Sequence, residues 1–378
     1  MKKVCFLRAK SPPVIEARIS KDASVLLKHG WEVTLLEWDR EADKPRYEKI
    51  DRINVVRVHC KAPYNSPLVA FFLIVWWFKA LHYLLSNRFD VLHACDFDTL
   101  PPCLLIRFLR STPVVYDQFD FYAHMIELHI PSFIRSLVAG MERRMINYAD
   151  QLIIADETRR DQIGKTRKRV RVITNSPPDY YDELSSETHE ETFTLFYGGN
   201  LIKTRGLEGA SEVVSSLRGV RLVIAGYGPD EEFLAPLFSS IKQVEYIGPI
   251  SYREVIERTF RSSLILILYD PRVPNNRYAS PNKLFEAMMA GKPVIVSGGT
   301  SMARIVGEEE CGRIIGYDDS ESLKRAIIQL RDDPSLRAKL GVNGRKAYLK
   351  KYNWTLMEER LIEIYKGLGF AFQSNRKF

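Results

Sequence analysis

The sequence predicts an α/β protein made of two tandem units, each a parallel sheet wound with helices on both faces. Three observations lead there. Short apolar strands alternate with helical stretches along most of the 378 residues, the pattern of parallel sheets. The alternation breaks once, at Asn175-Ser-Pro-Pro-Asp179 and the acidic residues 183–191, and then restarts, which marks an interdomain linker. The length suits two or three domains of roughly 150 residues each.

In order, the first half offers strands at residues 4–8, 32–37, 54–59, 91–94, 113–116, 151–155 and 170–174. Each is a short, mostly apolar run. Helical patterns lie between them at 19–29, 68–86 and 134–148. After the linker, strands are expected at 193–197, 221–225, 244–247, 264–268 and 293–296, with helices at 207–216, 252–261 and 283–289. Residues 334–368 read as helical and include Asn353-Trp354; the polar tail 373–378 is expected to fray.

Hydrophobic residues make up 46% and charged residues 27%, which excludes a wholly disordered chain and a polytopic membrane protein. The net charge of +8 is too small for this length to imply nucleic-acid binding. It suits an anionic small substrate or an anionic membrane surface. The five cysteines, Cys5, Cys60, Cys95, Cys103 and Cys311, form no C-x-x-C pair. Their odd, scattered count suggests reduced thiols in a reducing compartment and argues against zinc. The N-terminal apolar run stops after four residues, so it reads as a strand and not a signal peptide.

From Leu68 to Phe78 every residue is apolar. The run is shorter than the roughly 20 residues a bilayer span needs. It reads either as a buried core helix or as an interfacial helix, and Trp76-Trp77 favour the headgroup zone.

The strongest chemical signal is Tyr278-Ala-Ser280-Pro281-Asn282-Lys283-Leu-Phe-Glu286-Ala-Met. Ser280 suits an N-cap and Pro281 a first helical position. The free N–H groups at Asn282 and Lys283 would then face a phosphate. Lys283 opposes the helix dipole in the first turn, and a nucleotide diphosphate would relieve that. Glu286, one turn on, is within reach of sugar hydroxyls; the plainer alternative is an ordinary capped amphipathic helix. Gly198-Gly199-Asn200, ahead of Arg205, follows a strand, and paired glycines let a ligand approach the backbone while Arg205 forks onto phosphate oxygens. Gly226-Tyr-Gly228 begins like a dinucleotide fingerprint but has Glu231 at the third glycine position, which disfavours a nicotinamide enzyme.

Together with Asp90-Val-Leu-His93-Ala-Cys-Asp96-Phe-Asp98-Thr-Leu-Pro, Pro113-Val-Val-Tyr-Asp117 and Tyr352-Asn-Trp354, these strings resemble family 4 glycosyltransferases over nearly the whole chain. The subgroup they resemble is often seen in surface-polysaccharide and glycolipid synthesis. The resemblance implies a GT-B fold, two Rossmann-like domains with parallel sheets facing a central cleft. Residues 1–182 would bind the acceptor, 183–352 the nucleotide sugar, and 353–378 would form a helix packing back on the first domain. It also implies a retaining transfer to a lipid-linked or polysaccharide acceptor.

Glu286 matches the second glutamate of the family's E-x7-E pattern, which holds the ribose hydroxyls; the first is Tyr278 here. The family's phosphate-binding Arg and Lys fall at Asn200 and Arg205, and Lys283 is the candidate replacement cation. The family's active-site histidine falls at Phe119, leaving Asp117 and Asp120 as the nearest polar substitutes. His93, Asp96 and Asp98 would lie on the acceptor side, with loop capping, or metal binding by Asp96-x-Asp98, as alternatives for the carboxylates. His93 reads more as a satisfied near-core residue than as a base. No metal or other cofactor is expected in the site, and no nucleic-acid partner. The expected location is cytoplasmic, peripheral on the membrane face through Leu68 to Phe78. A non-catalytic nucleotide-binding partner subunit and a nucleotide-sugar epimerase are the rival readings.

Overall fold

The computed structural model describes residues 1–12, 14–63, 66, 68–126, 130–186 and 192–372. The tail 373–378 and part of the acidic linker, 187–191, lie outside the described residues. The chain forms two compact units: Met1–Ile173 together with the stretch from Glu358 onward, and Thr174–Met357.

Unit 1 contains β1 (Lys3–Arg8), α1 (Ala17–Lys28), β2 (Glu32–Asp39), β3 (Tyr47–Ile50), β4 (Ile53–His59), α2 (Val69–Ser86) and β5 (Val91–Cys95). It continues through α3 (Leu100–Arg110), β6 (Val114–Gln118), α4 (Tyr122–Met125), α5 (Ser132–Met145), β7 (Gln151–Ile154), α6 (Arg160–Ile163) and β8 (Val170–Val172). The sheet order is β3-β4-β2-β1-β5-β6-β7-β8. All pairs are parallel except β3–β4.

Unit 2 begins with α7 (Tyr181–Leu184), β9 (Phe193–Gly198), α8 (Leu207–Ser215), β10 (Val220–Ala225), α9 (Glu231–Ser239), β11 (Val244–Tyr246) and α10 (Tyr252–Arg261). It continues with β12 (Leu264–Ile267), α11 (Pro274–Arg277), α12 (Asn282–Met289), β13 (Val294–Ser297), α13 (Ser301–Glu309), β14 (Gly312–Ile315), α14 (Ser320–Asp332) and α15 (Pro334–Ala347). Its fully parallel sheet has the order β11-β10-β9-β12-β13-β14. The last helix, α16 (Trp354–Lys366), starts in unit 2 and ends in unit 1.

The border between the units falls at 173/174, not at the expected 182/183. Residues 174–182 are held by unit 2: Arg345 forks onto both oxygens of Asp179 at 2.8 Å, and the Tyr348 hydroxyl donates to the Pro177 carbonyl at 3.0 Å. The second border falls at 357/358, not 352/353. Beyond it, Tyr365 of α16 packs edge-on against Trp31.

Helix α2 divides the apolar run between a buried stripe and an exposed face. By length and composition it could cross a membrane, but Leu73, Trp76, Ala80 and Leu84 form one buried stripe at helical spacing. Trp76 is fully buried and stacks on Trp38 at 5.9 Å. The Trp77 indole N–H donates to the Asp98 carbonyl at 2.6 Å. Neither indole points outward, contrary to expectation; the exposed aromatics are Phe71 and Phe78.

Candidate functional site

Ligands of doubly wound sheets bind beyond the carboxyl ends of the strands, where the strand order reverses. In unit 2 that point lies between β9 and β12. The Gly198-Gly199-Asn200 turn leaves β9 there. Gly199 has φ +153, and a Cβ on it would lie 2.6 Å from the Lys283 Nζ. A Cβ on Gly226 would lie 1.9 Å from the Gly199 carbonyl oxygen. The two turns are zipped together by Gly199 N–H to Ala225 O (2.9 Å) and Leu201 N–H to Tyr227 O (3.0 Å). The glycines at 226 and 228 therefore serve backbone-to-backbone packing, which explains a fingerprint that stops short.

Helix α12 starts one residue later than the sequence reading. Pro281 is extended (φ −73, ψ 143) and occupies the cap position; Asn282 is the first helical residue. Ser280 is therefore not the cap: its buried Oγ has no hydrogen-bond partner, and its carbonyl accepts from Asn175 at 3.4 Å. A residue preceding proline is driven out of the helical region, which fits this placement.

Lys283 is only 8% exposed, and its ammonium lies 3.8 Å from the centre of the Tyr197 ring and 5.7 Å from that of Tyr269. The Arg205 guanidinium lies 3.5 Å from the centre of the same Tyr269 ring and donates to Asn276 Oδ1 at 2.5 Å. Cations on aromatic faces are held without being neutralised. No carboxylate of the described residues lies within ion-pair range of Arg205 or Lys283. Burial pushes the Tyr197 phenol above its ordinary range, with Lys283 opposing, and its hydroxyl donates to the Asn200 carbonyl at 2.6 Å. The Asn200 side chain is on the surface and Tyr278 is half-buried.

Glu286 is 3% exposed. It shares a hydrogen bond with the hydroxyl of Tyr252, the first residue of α10, and burial followed by this carboxylate holds that phenol above its ordinary range. Tyr252, Tyr269 and Asn276 were missed by sequence reasoning. They come from α10, the loop after β12 and α11, and no local spacing connects them to Glu286 or Arg205.

In unit 1 the corresponding reversal lies between β1 and β5. Arg8, at the end of β1, pairs with Asp96 and Glu16. The other Asp96 oxygen accepts from the backbone N–H of Phe119 (2.8 Å) and Asp120 (3.0 Å). Asp96 is thus a buried brace for the loop after β6 and not an exposed acceptor contact. Asp117 is 0% exposed and takes both arms of Arg18 at 2.7 Å. Burial alone would raise its pKa, but Arg18 and His93 outweigh burial and hold it below the usual carboxylate range. His93 is also fully buried, stacked on Phe6 at 4.4 Å, with Nδ1 3.0 Å from the Tyr365 hydroxyl.

His93, Asp96 and Asp117 are therefore internal, which corrects Asp117 as a catalytic group and His93 and Asp96 as acceptor contacts; the core reading of His93 and the loop-capping reading of Asp96 are the ones that fit. A polar residue at a strand end reads as accessible until its partner is known, and Arg18 arrives from a distant helix. The half-exposed Asp120 pairs with Arg159 at 2.9 Å. Asp98 has a buried, unpartnered Oδ1, and burial with the neighbouring Asp96 pushes it up to about 7. Phe119 lies over two guanidinium groups, 4.8 Å from Arg8 and 5.2 Å from Arg18. The metal-like grouping among the described residues is Asp22, His93 and Asp117, not Asp96 with Asp98. Arg18 already occupies both Asp117 oxygens there.

Two family models match the chain: "Glycosyl transferase 4-like domain" over residues 15–176 and "Glycosyl transferases group 1" over residues 182–347. The chain is 26% identical to a phosphatidyl-myo-inositol mannosyltransferase of Mycolicibacterium smegmatis, covering 97% of this chain and 94% of that one. Among solved structures, sucrose-phosphate synthase from Thermosynechococcus elongatus superposes with a TM-score of 0.78 at 16% identity, covering 98% and 99% of the two chains. Anabaena HepE in complex with UDP-glucose has a TM-score of 0.69 at 14% identity, covering 97% and 100%. The two matched domains account for most of both units, and the chain is a glycosyltransferase of the family 4 type with the GT-B fold.

Proposed function

We propose that the chain transfers a sugar, with retention at the anomeric carbon, from a nucleotide-sugar donor to a lipid-linked or polysaccharide acceptor. The observation that carries this is the pair Arg205 and Lys283, held on Tyr269 and Tyr197 beside the Gly199 turn without carboxylate partners. Two such cations sharing the Tyr269 ring, one of them in the first turn of α12, are suited to a diphosphate. Glu286, oriented by Tyr252, would accept from the ribose hydroxyls. The bond from the anomeric carbon to the phosphate oxygen breaks, and the diphosphate leaves with that electron pair. The cations and helix N–H groups stabilise the charge as it develops. The acceptor oxygen bonds to the same face of the sugar, and its proton passes to the departing phosphate oxygen.

Unit 1 would supply the acceptor side, where Asp98 and Asp120 are the carboxylates not fully enclosed. The name of the mycobacterial relative and the UDP-glucose bound to HepE support a lipid-type acceptor and a nucleotide-sugar donor, respectively. Five buried free cysteines suit a reducing, cytoplasmic location.

A transfer and donor-hydrolysis assay of the purified chain over a panel of nucleotide sugars tests the reading. One donor should turn over, and its rate should stay within about twofold in excess EDTA, because the diphosphate is neutralised by side chains. No turnover of any donor would point to a non-catalytic subunit, with Phe119 in the histidine's place. Isomerised donor without acceptor would point to an epimerase. Complete loss in EDTA, rescued by Mn²⁺, would overturn the assignment of the cations.

A further inference from the structure

Unit 2 has a second concave site, at the end of its sheet opposite to the Gly199 turn. A cavity of about 610 Å³ opens there at the amino ends of the strands. It is lined by Phe193, the first residue of β9, by Ser263 just ahead of β12, and by Lys292 and Pro293 just ahead of β13. The first turns of α15, which carry Arg337, form another wall. Arg205, Lys283 and Glu286 are not among its described lining residues. The volume falls in the range of roughly 300–1,000 Å³ that small-molecule sites occupy, far more than a bare ion fills.

The charge lining this cavity has one sign. Its described residues include Lys292, Arg331 and Arg337 and no carboxylate. Arg331 is neutralised by Asp332, onto which it forks at 2.6 and 3.0 Å. Arg337 is not: no carboxylate of the described residues lies within ion-pair range of it. Its guanidinium lies 5.3 Å from the centre of the Phe193 ring and donates to the carbonyls of Leu330 (2.6 Å) and Arg331 (3.2 Å). Lys292 is 7% exposed, and burial followed by the Arg337 charge pushes its amine down to about 8. Two like charges thus act on each other at one cavity, and an anion shared by them would stabilise both. The Ser263 hydroxyl accepts from the Thr194 N–H at 3.2 Å, which leaves its proton to donate. A guanidinium, an ammonium and a hydroxyl are together suited to a phosphate group. The sheet separates this cavity from the strand ends that bear the diphosphate cations, so a ligand held here is out of reach of the transfer.

We propose that this cavity is a second anion site of the chain, which holds a small phosphate ester as a ligand and not as a reactant. The proposal is independent of the transfer reaction, since its readout needs no turnover. The full chain is titrated calorimetrically with inorganic phosphate, with ribose 5-phosphate and with ribose as the uncharged control. Both phosphates should bind, the ester more tightly, and ribose should not. Arg337→Gln and Lys292→Gln should each weaken binding by about tenfold or more, and Lys292→Arg should retain it. Lys283→Ala, which alters only the other end of the sheet, should leave phosphate binding as in the parent. At about pH 8.5 binding should take up protons, because an anion beside Lys292 favours its charged form. If Arg337→Gln melts early, Lys292→Gln alone decides the matter. No binding of the ester by the parent, binding without proton uptake, or undiminished binding by the folded Arg337→Gln and Lys292→Gln variants would overturn the proposal. So would loss of binding in Lys283→Ala with retention in those two, because the phosphate would then sit on the diphosphate cations.

Discussion

The two sheets reverse their strand order at comparable places, and the side chains there are in opposite electrostatic states. Around the carboxyl ends of the unit 1 strands, three arginines have carboxylates: Arg8 has Asp96 and Glu16, Arg18 has Asp117, and Arg159 has Asp120. At the β9/β12 reversal of unit 2, Arg205 and Lys283 rest on tyrosine rings and meet no carboxylate of the described residues. A buried cation is costly to desolvate unless something compensates it. In unit 1 the compensation is built in, so the network is a scaffold. In unit 2 an anion from outside would complete it. The comparison separates residues that hold the fold from residues that await a ligand, although both kinds are charged and sit at strand ends.

The largest effect should come from breaking the closed network. Arg18→Ala would leave Asp117 buried without its partner, a loss of about 3–5 kcal/mol in stability. A denaturant melt checks this. A loss under 1 kcal/mol would mean that Asp117 does not depend on Arg18.

Next comes Glu286 of unit 2, the carboxylate proposed to hold the ribose. Glu286→Ala should lower kcat/KM for the donor by roughly 10- to 100-fold, corresponding to about 1.5–3 kcal/mol of charge-assisted hydrogen bonds. The fold should survive. Tyr252→Phe removes only the hydroxyl that orients Glu286 and should cost less, on the order of 1 kcal/mol. Equal effects of the two variants would place Tyr252 on the ligand itself.

A further expected effect is a pH dependence of stability arising in unit 1. Burial pushes Asp98 up to about 7 and Glu142 up to about 8, against ordinary values of 3.8 and 4.5. Both therefore hold protons more tightly in the folded chain than in the unfolded one. Their contribution is complete below about pH 4 and is lost as pH rises through about 7 and 8. The melting temperature should decline across that window, and Glu142→Gln should flatten the decline. An unchanged slope in Glu142→Gln would remove that carboxyl from the account.

Much of the fold was legible because strands covered on both faces are apolar throughout, as in β1 and β12, each buried at nearly every position. The strand β3, Tyr-Glu-Lys-Ile, was not, since it is an exposed antiparallel edge with no apolar run. Helix α3 was not among the expected helices; it carries Pro101-Pro102 in its first turn, where proline is tolerated. The core of the unit 2 site was legible where it is local in sequence, from Pro281 to Glu286. Tyr269 and Tyr252 were not, because only the sheet brings them to that helix. In unit 1, Asp117 carried the right chemistry for a reacting centre, but burial, which no motif reports, encloses it; His93 is the core residue that one of its two readings gave.

The central claim is that the unpaired cations of unit 2 exist to bind a diphosphate. Calorimetric titration of the chain with UDP, GDP and ADP, and with the matching monophosphates, tests it most directly. One diphosphate should bind measurably tighter than its monophosphate, and Lys283→Ala or Arg205→Ala should abolish that difference while lowering turnover on the order of 10²-fold. Equal affinity for diphosphate and monophosphate in the parent chain, or an unaltered difference in both variants, would contradict the account.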